Sequence, residues 1–367
     1  MILPLIYLAG NGYLFIRTWQ AMNSFPLWVK VVVSILFWTV AFALFASVGL
    51  RDARVPDTIL RWMFRLGSVW MVFLLYVVML LVVFDMAGIF VPALKPSLLY
   101  ALPLTLCILA YGYINYRNPK VEHLDINLEK EYDGSPLRIV AVSDVHLGYG
   151  TGVSSLKKYV ELINSQNPDL ILIAGDLIDN NVKPLLQEPF AEGLSALKAP
   201  MGIYMVPGNH EYISGIEACS DFLKETPVRL LRDSMVTLPG GMQIVGRDDR
   251  SNRSRKPLEE LMEMADRNRP VIVLDHQPYE LSKSDSLGVD LQISGHTHRG
   301  QIWPLTKITD LLFEQSHGYR KWSHSHIWVS CGLSLWGPPF RIGTDSDIAV
   351  IDLNSSPLQE SERNPCI

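Results

Sequence analysis

Charge is nearly missing from the first third of this 367-residue chain. Residues 1–116 hold ten charged side chains (Arg17, Lys30, Arg51, Asp52, Arg54, Asp57, Arg61, Arg65, Asp85 and Lys95) and no histidine. The other 59 of the 69 charged residues, and all nine histidines, come later. This asymmetry excludes one uniform soluble domain and divides the chain into a greasy piece and an ordinary soluble one, each long enough to fold separately. Cysteine is also scarce: Cys107 falls in an apolar run, and Cys219, Cys331 and Cys366 show no paired spacing. They give no disulfide framework and agree with a reducing compartment. A formal charge of −5 lacks the basic excess that nucleic-acid binding needs. There is no internal repeat and no low-complexity block. No positive charge precedes the first apolar core, so a cleavable signal peptide is not expected.

What the first piece does contain is uncharged runs of bilayer length. Val31–Leu50 is 20 residues, Leu66–Phe84 is 19 and Pro96–Tyr116 is 21, each near the ~20 needed to cross ~30 Å of hydrocarbon. Met1–Ile16 is a weaker fourth, interrupted by Gly10, Asn11 and Gly12; Arg17 could snorkel and extend it to about Met22. Residues 1–116 therefore read as an all-α transmembrane region of three to four helices. Residues 51–65 carry four arginines, and Arg117 and Lys120 follow the last span, against Arg17, Lys30 and Lys95 on the other side. Two crossings separate the arginine-rich loop from the C-terminal piece, so the positive-inside bias places the soluble domain in the cytoplasm.

Residues 117–133 read as a charged linker, 134–355 as the soluble domain and 356–367 as a flexible polar tail. Within the domain, apolar strand-like runs alternate with helical periodicity, which argues an α/β fold. Leu137–Val142 ends in Asp144-Val145-His146, and a helical pattern through Leu156, Tyr159, Val160 and Ile163 follows. Leu170–Ala174 ends in Gly175-Asp176, and a helix is expected over Leu185–Leu197. Gly202–Val206 delivers Gly208-Asn209-His210-Glu211. Val228–Leu231 and Met242–Val245 read as short strands and Leu258–Ala265 as helical. Val271–Asp275 presents His276, an apolar run ends in Gly295-His296-Thr297-His298, and Ile327–Cys331 and Ile348–Leu353 close the set. Polar residues at strand ends are where such folds build their sites.

Those ends offer Asp144, His146, Asp176, Asn209, His210, His276, His296 and His298. A mixed oxygen and nitrogen set suits Mn, Fe, Zn or a mixed pair rather than calcium or a thiolate zinc site. Singly, each has an ordinary explanation: a helix cap for Asp144 or Asp176, a turn for Asn209, a core imidazole for His276. Five polar sets, each leaving an apolar strand of one domain, are hard to explain as coincidence.

In this order and spacing the blocks Asp144-Val145-His146, Gly175-Asp176, Gly208-Asn209-His210, His276 and Gly295 to His298 resemble the calcineurin-like metallophosphoesterase superfamily. The resemblance covers roughly Asp133 to Leu353. Within the superfamily the chain is similar to membrane-anchored bacterial members related to UDP-diacylglucosamine pyrophosphohydrolases, which implies a bacterial inner (cell) membrane. It also implies a four-layer αββα sandwich and two divalent metal ions bridged by Asp176. One ion would be held by Asp144, His146 and His298, the other by Asn209, His276 and His296. A water bridging them would attack phosphorus in line, with no covalent enzyme intermediate. His210 would stabilise developing charge or protonate the leaving oxygen. The superfamily often has aspartate where this chain has Glu211, which keeps an orienting role open with altered geometry.

The implied activity is hydrolysis of a phosphate ester or pyrophosphate bond: phosphodiesterase, phosphatase or pyrophosphohydrolase. The alternative is a membrane receptor or scaffold whose metal domain binds a phosphorylated ligand without turnover. Arg299 is a candidate phosphate contact. Asp275 is either a partner behind the ligands or a plain strand-end carboxylate, and Arg247-Asp248-Asp249-Arg250 either touches substrate or is a solvated loop. His317, His324 and His326 lack a counterpart in the superfamily and read as surface residues. Ile302–Trp322 is an apolar stripe with aromatics that either lies at the lipid surface or packs on the sheet; in the first case the substrate is lipid-linked.

Overall fold

The computed structural model describes residues 2–50, 53–133 and 136–355. Arg51 of the arginine-rich loop and the expected tail 356–367 lie outside them. The chain separates into two compact units: the N-terminal helices together with Trp336–Ile342, and the rest.

The first unit contains α1 (Ile2–Ala21), α2 (Leu27–Gly49), α3 (Asp57–Phe90) and α4 (Ser97–Tyr116). Of these, α2, α3 and α4 are long and apolar enough to cross a membrane. The fourth run does form a helix, α1, but one that falls outside that group. Its interruption is a packing device. Asn11 is fully buried, bonds its own helix at the Tyr7 carbonyl, and accepts a 2.9 Å hydrogen bond from Trp70 Nε1 on α3. Arg17 pairs with Asp85 on α3, which Tyr13 also engages.

In the second unit twelve strands are described: β1 (Lys120–Leu128), β2 (Leu137–Val142), β3 (Leu170–Ala174), β4 (Ile203–Val206), β5 (Val228–Leu230), β6 (Ser234–Thr237), β7 (Gln243–Gly246), β8 (Val271–Leu274), β9 (Leu291–Ser294), β10 (Gly318–Lys321), β11 (His326–Val329) and β12 (Asp347–Ser355). They form two six-stranded sheets, ordered β1-β12-β2-β3-β4-β5 and β10-β11-β9-β8-β7-β6. Both are parallel at the centre, with β12 antiparallel to β2 and antiparallel strands β6 and β10 at the edges of the second sheet.

The strands look continuously apolar because both faces of each sheet are covered. Leu137, Ile139 and Ala141 of β2 and Leu170, Leu172 and Ala174 of β3 pack against Ile272, Leu274, Leu291 and Ile293 of the second sheet. The alternate residues Val140, Val142, Ile171 and Ile173 face helices Val153–Ser165 and Phe190–Ser195 through Leu156, Ile163 and Leu194. On the far side Val271 and Val273 meet Leu258, Leu261 and Met262 of helix Leu258–Glu263. These are the four layers of an αββα sandwich. Each fully buried Leu or Ile adds roughly 1.5–3 kcal/mol of burial, so the sheet centre is the stiff part of the domain, and the site grows from its strand ends.

Three expectations change. Residues 117–133 contain β1 rather than a linker: Leu124, Ile126 and Leu128 alternate with polar residues, and β1 pairs with β12 along its whole length. The helix expected over Leu185–Leu197 is two short ones, Lys183–Gln187 and Phe190–Ser195, because Pro189 breaks it. The Arg247–Arg250 segment is not a solvated loop, since Arg247, Asp248 and Asp249 are all buried.

Candidate metal centre

Each block leaves the C-terminal end of a parallel strand and turns sharply. Asp144, His146, Asp176, His296 and His298 have φ between 45° and 71°, five of the ten non-glycine residues described with positive φ. Such conformations cost about 1–3 kcal/mol each, so the strain is concentrated where the side chains converge. Backbone bonds hold it in place: Asp144 N–H donates to Gly175 O at 3.1 Å and His146 N–H to Asp176 O at 3.0 Å, lacing two strand ends together.

Two motif glycines are there for space. A Cβ at Gly208 would lie 2.1 Å from Asp176 Oδ1, and one at Gly295 would lie 1.8 Å from Ser143 Oγ and 2.3 Å from Asp144 Oδ2. Any larger residue would push a carboxylate out of position.

Seven of the eight strand-end residues converge as two sets that share one carboxylate. In the first, Asp144 Oδ1 is 3.2 Å from His298 Nε2 and 3.7 Å from His146 Nε2, and the two imidazole nitrogens are 3.1 Å apart. In the second, Asn209 Oδ1 is 2.9 Å from His296 Nδ1 and 3.3 Å from His276 Nε2. Asp176 Oδ2 lies between them, 3.2 Å from His276 Nε2 and 3.9 Å from His146 Nε2. The other halves of these groups are occupied. Asp144 Oδ2 accepts from Ser143 Oγ and His296 N–H, Asp176 Oδ1 accepts from His210 N–H, and His276 Nδ1 meets the Ala174 carbonyl at 2.7 Å. That last contact makes Nδ1 the donor and turns Nε2 to the site.

This donor set fits cations. Asp144 Oδ1 is buried with no hydrogen-bond partner, a costly state for a carboxylate oxygen unless positive charge faces it. Burial alone would raise the Asp144 and Asp176 carboxyls, yet the imidazoles of His298 and His276 respectively pull them well below the usual range. His146 is pushed down by burial but raised to about 10 by Asp144, Asp179 and Asp176, while burial and the charge of His276 lower His296 to about 4. The cluster asks for positive charge that divalent ions would supply.

The eighth residue, His210, stands at the more open edge. Its Nδ1 is 3.1 Å from Asp179 Oδ1, and the same oxygen is 3.5 Å from His146 Nδ1. Sequence reasoning missed Asp179, which looks like an isolated turn acid; its position three residues after Asp176 was the available signal. Glu211 does not orient the imidazole. Its carboxylate accepts from the backbone of Asp176 at 3.0 Å, Ile178 at 2.8 Å and Gly208 at 2.7 Å, tying two loops together, and burial and the charge of Asp176 raise it to about 7.

These residues lie inside a segment, 137–300, that matches the family model described as calcineurin-like phosphoesterase. An uncharacterized metallophosphoesterase of Aquifex aeolicus is 31% identical over 251 residues, covering 66% of this chain and 95% of its own. The chain belongs to the calcineurin-like phosphoesterase family. One of Helicobacter pylori strain J99 is 34% identical over 247 residues, 66% of this chain and 65% of that protein. A Danio rerio protein named transmembrane protein with metallophosphoesterase domain is 33% identical over 274 residues, 70% and 62% of the two chains. Calcineurin-like phosphoesterases are dimetal-dependent, and the described residues contain carboxylate and imidazole groups placed to hold metal.

The remaining candidates sit around this centre. Arg299 has φ 45° and turns its guanidinium to Asp310 at 3.5 Å. Asp275 lies behind His276, buried between Arg247 at 2.6 Å and Arg255 at 3.3 Å, so it is more than a strand-end carboxylate. Asp249 accepts a 2.8 Å hydrogen bond from Gln277, next to His276. His326 bonds Tyr319 and Lys321, and His317 bonds Ser316; neither these nor His324 joins a metal-capable group among the described residues.

Proposed function

We propose that this membrane protein hydrolyses a phosphate ester or pyrophosphate bond of an amphiphilic, lipid-linked substrate, using two divalent cations (Mn, Fe or Zn). The observation that carries the reading is Asp176 Oδ2, set between two otherwise separate donor groups. Asp144, His146 and His298 would hold one cation, Asn209, His276 and His296 the other, with Asp176 common to both. When bound, such a pair supplies Lewis acidity to the phosphoryl group and makes water acidic enough to attack near neutral pH.

The chain's own residues do the rest. Asp179 fixes His210 through Nδ1, leaving Nε2 to donate a proton to the departing oxygen. Glu211 keeps the Asp176 and Gly208 turns in register. Arg299 would exchange its loose pairing with Asp310 for a phosphate oxygen. The UDP-diacylglucosamine likeness seen in the sequence agrees with an amphiphilic substrate, and the arginines of residues 51–65 with a cytoplasmic domain in a bacterial inner membrane.

Turnover of an aryl monoester, an aryl diester and a lipid pyrophosphate by the purified chain in detergent, with and without added metal, tests the reaction class. Cleavage of none of them favours the alternative, a receptor or scaffold that binds a phosphorylated ligand. His210→Asn separates the two readings: a hydrolase loses turnover and keeps its metal, whereas a binder loses neither ligand nor metal. A C-terminal reporter that is active only outside the cytoplasm would overturn the placement.

A further inference from the structure

Helix Leu305–Leu312 is inside out for a soluble surface. Its buried residues are Thr306 and Thr309, while Leu311 is 86% exposed, Leu312 69%, Ile308 52% and Leu305 43%. At 3.6 residues per turn these four cover an arc of about 120°, and Trp303, also exposed, precedes them. A hydrophobic stripe normally turns inward; here it faces out and the polar side packs.

The helix is also bound to the metal-centre loop. A Cβ at Gly300 would meet the Leu305 carbonyl at 2.6 Å and Thr309 Oγ1 at 2.7 Å, so Gly300 permits that approach. Thr297 Oγ1 donates to Ser316 O at 2.6 Å, and the Phe313 ring, just past the helix, lies 6.4 Å from the His296 ring. Phe313 in turn packs on Tyr279 at 5.0 Å, under the Arg250 guanidinium. The exposed apolar face thus runs continuously into the rim of the site.

We propose that this face docks on the bilayer crossed by the chain's own helices, so that the centre draws its phosphate ester from the headgroup layer. This deepens the hydrolase reading and rests on it for the substrate. Three residues, Arg117, Asn118 and Pro119, separate the end of α4 from β1, so the covalent tether between them spans only roughly 10 Å. Exposed Lys307 lies on the helix and exposed Arg320 donates to the Glu314 carbonyl just beyond it; with Glu314 and the half-exposed Asp310 they give the stripe a charged border of both signs. Leu, Ile and Trp with a charged border is the composition of an interfacial helix.

The test uses the full chain in nanodiscs of phosphatidylcholine and phosphatidylglycerol in equal parts, with Cys107→Ser and Cys366→Ser. A spin label on Leu311→Cys is compared with one on Lys224→Cys, a solvent-exposed position. Docking predicts that the label at 311 collides with oxygen far more than with a water-soluble nickel complex, and the label at 224 the reverse. Equal nickel access at both positions overturns the proposal. So does dipolar broadening between labels at 311, which would mean that a second copy of the chain covers the face.

The paired substitution Ile308→Asn with Leu311→Asn removes apolar area without touching the core. It should lower kcat/KM on a bilayer-embedded phosphodiester roughly ten-fold or more and leave a soluble aryl phosphate unchanged; equal loss on both contradicts docking. If the wild-type chain cleaves neither substrate, the hydrolase reading fails, and the spin labels still decide whether the helix meets lipid.

Discussion

Asp179 Oδ1 lies 3.1 Å from Nδ1 of His210 and 3.5 Å from Nδ1 of His146. In the proposed reaction this one carboxylate backs two imidazoles, His146 on the metal side and His210 on the substrate side. Asp179→Asn keeps the shape but removes the negative charge. It should lower kcat about 10–100-fold, the usual cost of removing such a supporting partner, with smaller change in KM. His210→Asn should cost about 10²–10⁴-fold. Where Asp179 acts through His210 the double variant should be little worse than His210→Asn alone, and any further loss should follow a drop in bound metal through His146, which steady-state kinetics and metal content of the four proteins would show.

Space, rather than chemistry, is the role given to Gly208 and Gly295. Gly208→Ala and Gly295→Ala should each reduce bound metal, measured by mass spectrometry of the desalted protein, since the added methyl displaces Asp176 or Asp144. Gly150→Ala is the control: a Cβ there meets nothing within 4 Å. Full metal content in both motif variants would show that the loops relax around the methyl and that the close approach is not required.

The pair Arg247 and Asp275 is buried on both sides, at 5% and 1% side-chain exposure. Arg247→Met leaves the aspartate with only the longer contact to Arg255. Breaking a buried pair from one side costs about 3–5 kcal/mol, and the remaining arginine places this case near the lower end. Thermal unfolding of the purified chain should show a clear loss of stability, with Asp275→Asn in the same background recovering part of it. No change on Arg247→Met would mean that water already reaches the pair.

Much of the centre was legible because its chemistry is punctuated. A short β-branched run such as Val271–Leu274, stopped by Asp275 and Pro278, reads as a buried strand, and the His276 that follows is conspicuous. What escaped notice was whatever depends on tertiary neighbours. β1 was hidden by its charges, although Leu124, Ile126 and Leu128 keep a strand period. Arg247, Asp248 and Asp249 look solvated in sequence and are buried because each finds a partner of opposite charge or an amide across a loop, as Asp249 does in Gln277. Pro189 lies inside the run expected as one helix, Leu185–Leu197, and breaks it in the fold. The outward face of Leu305–Leu312 has the periodicity of an ordinary core helix, and only the fold shows which side packs.

Metal stoichiometry of the purified full chain, measured together with hydrolysis, tests the central claim most directly. Two equivalents per wild-type chain are expected, removable by chelator with loss of activity. In Asp176→Ala, one equivalent or none should remain, and hydrolysis should fall to background. A single metal in active wild-type protein, or an undiminished rate after that substitution, would contradict the account.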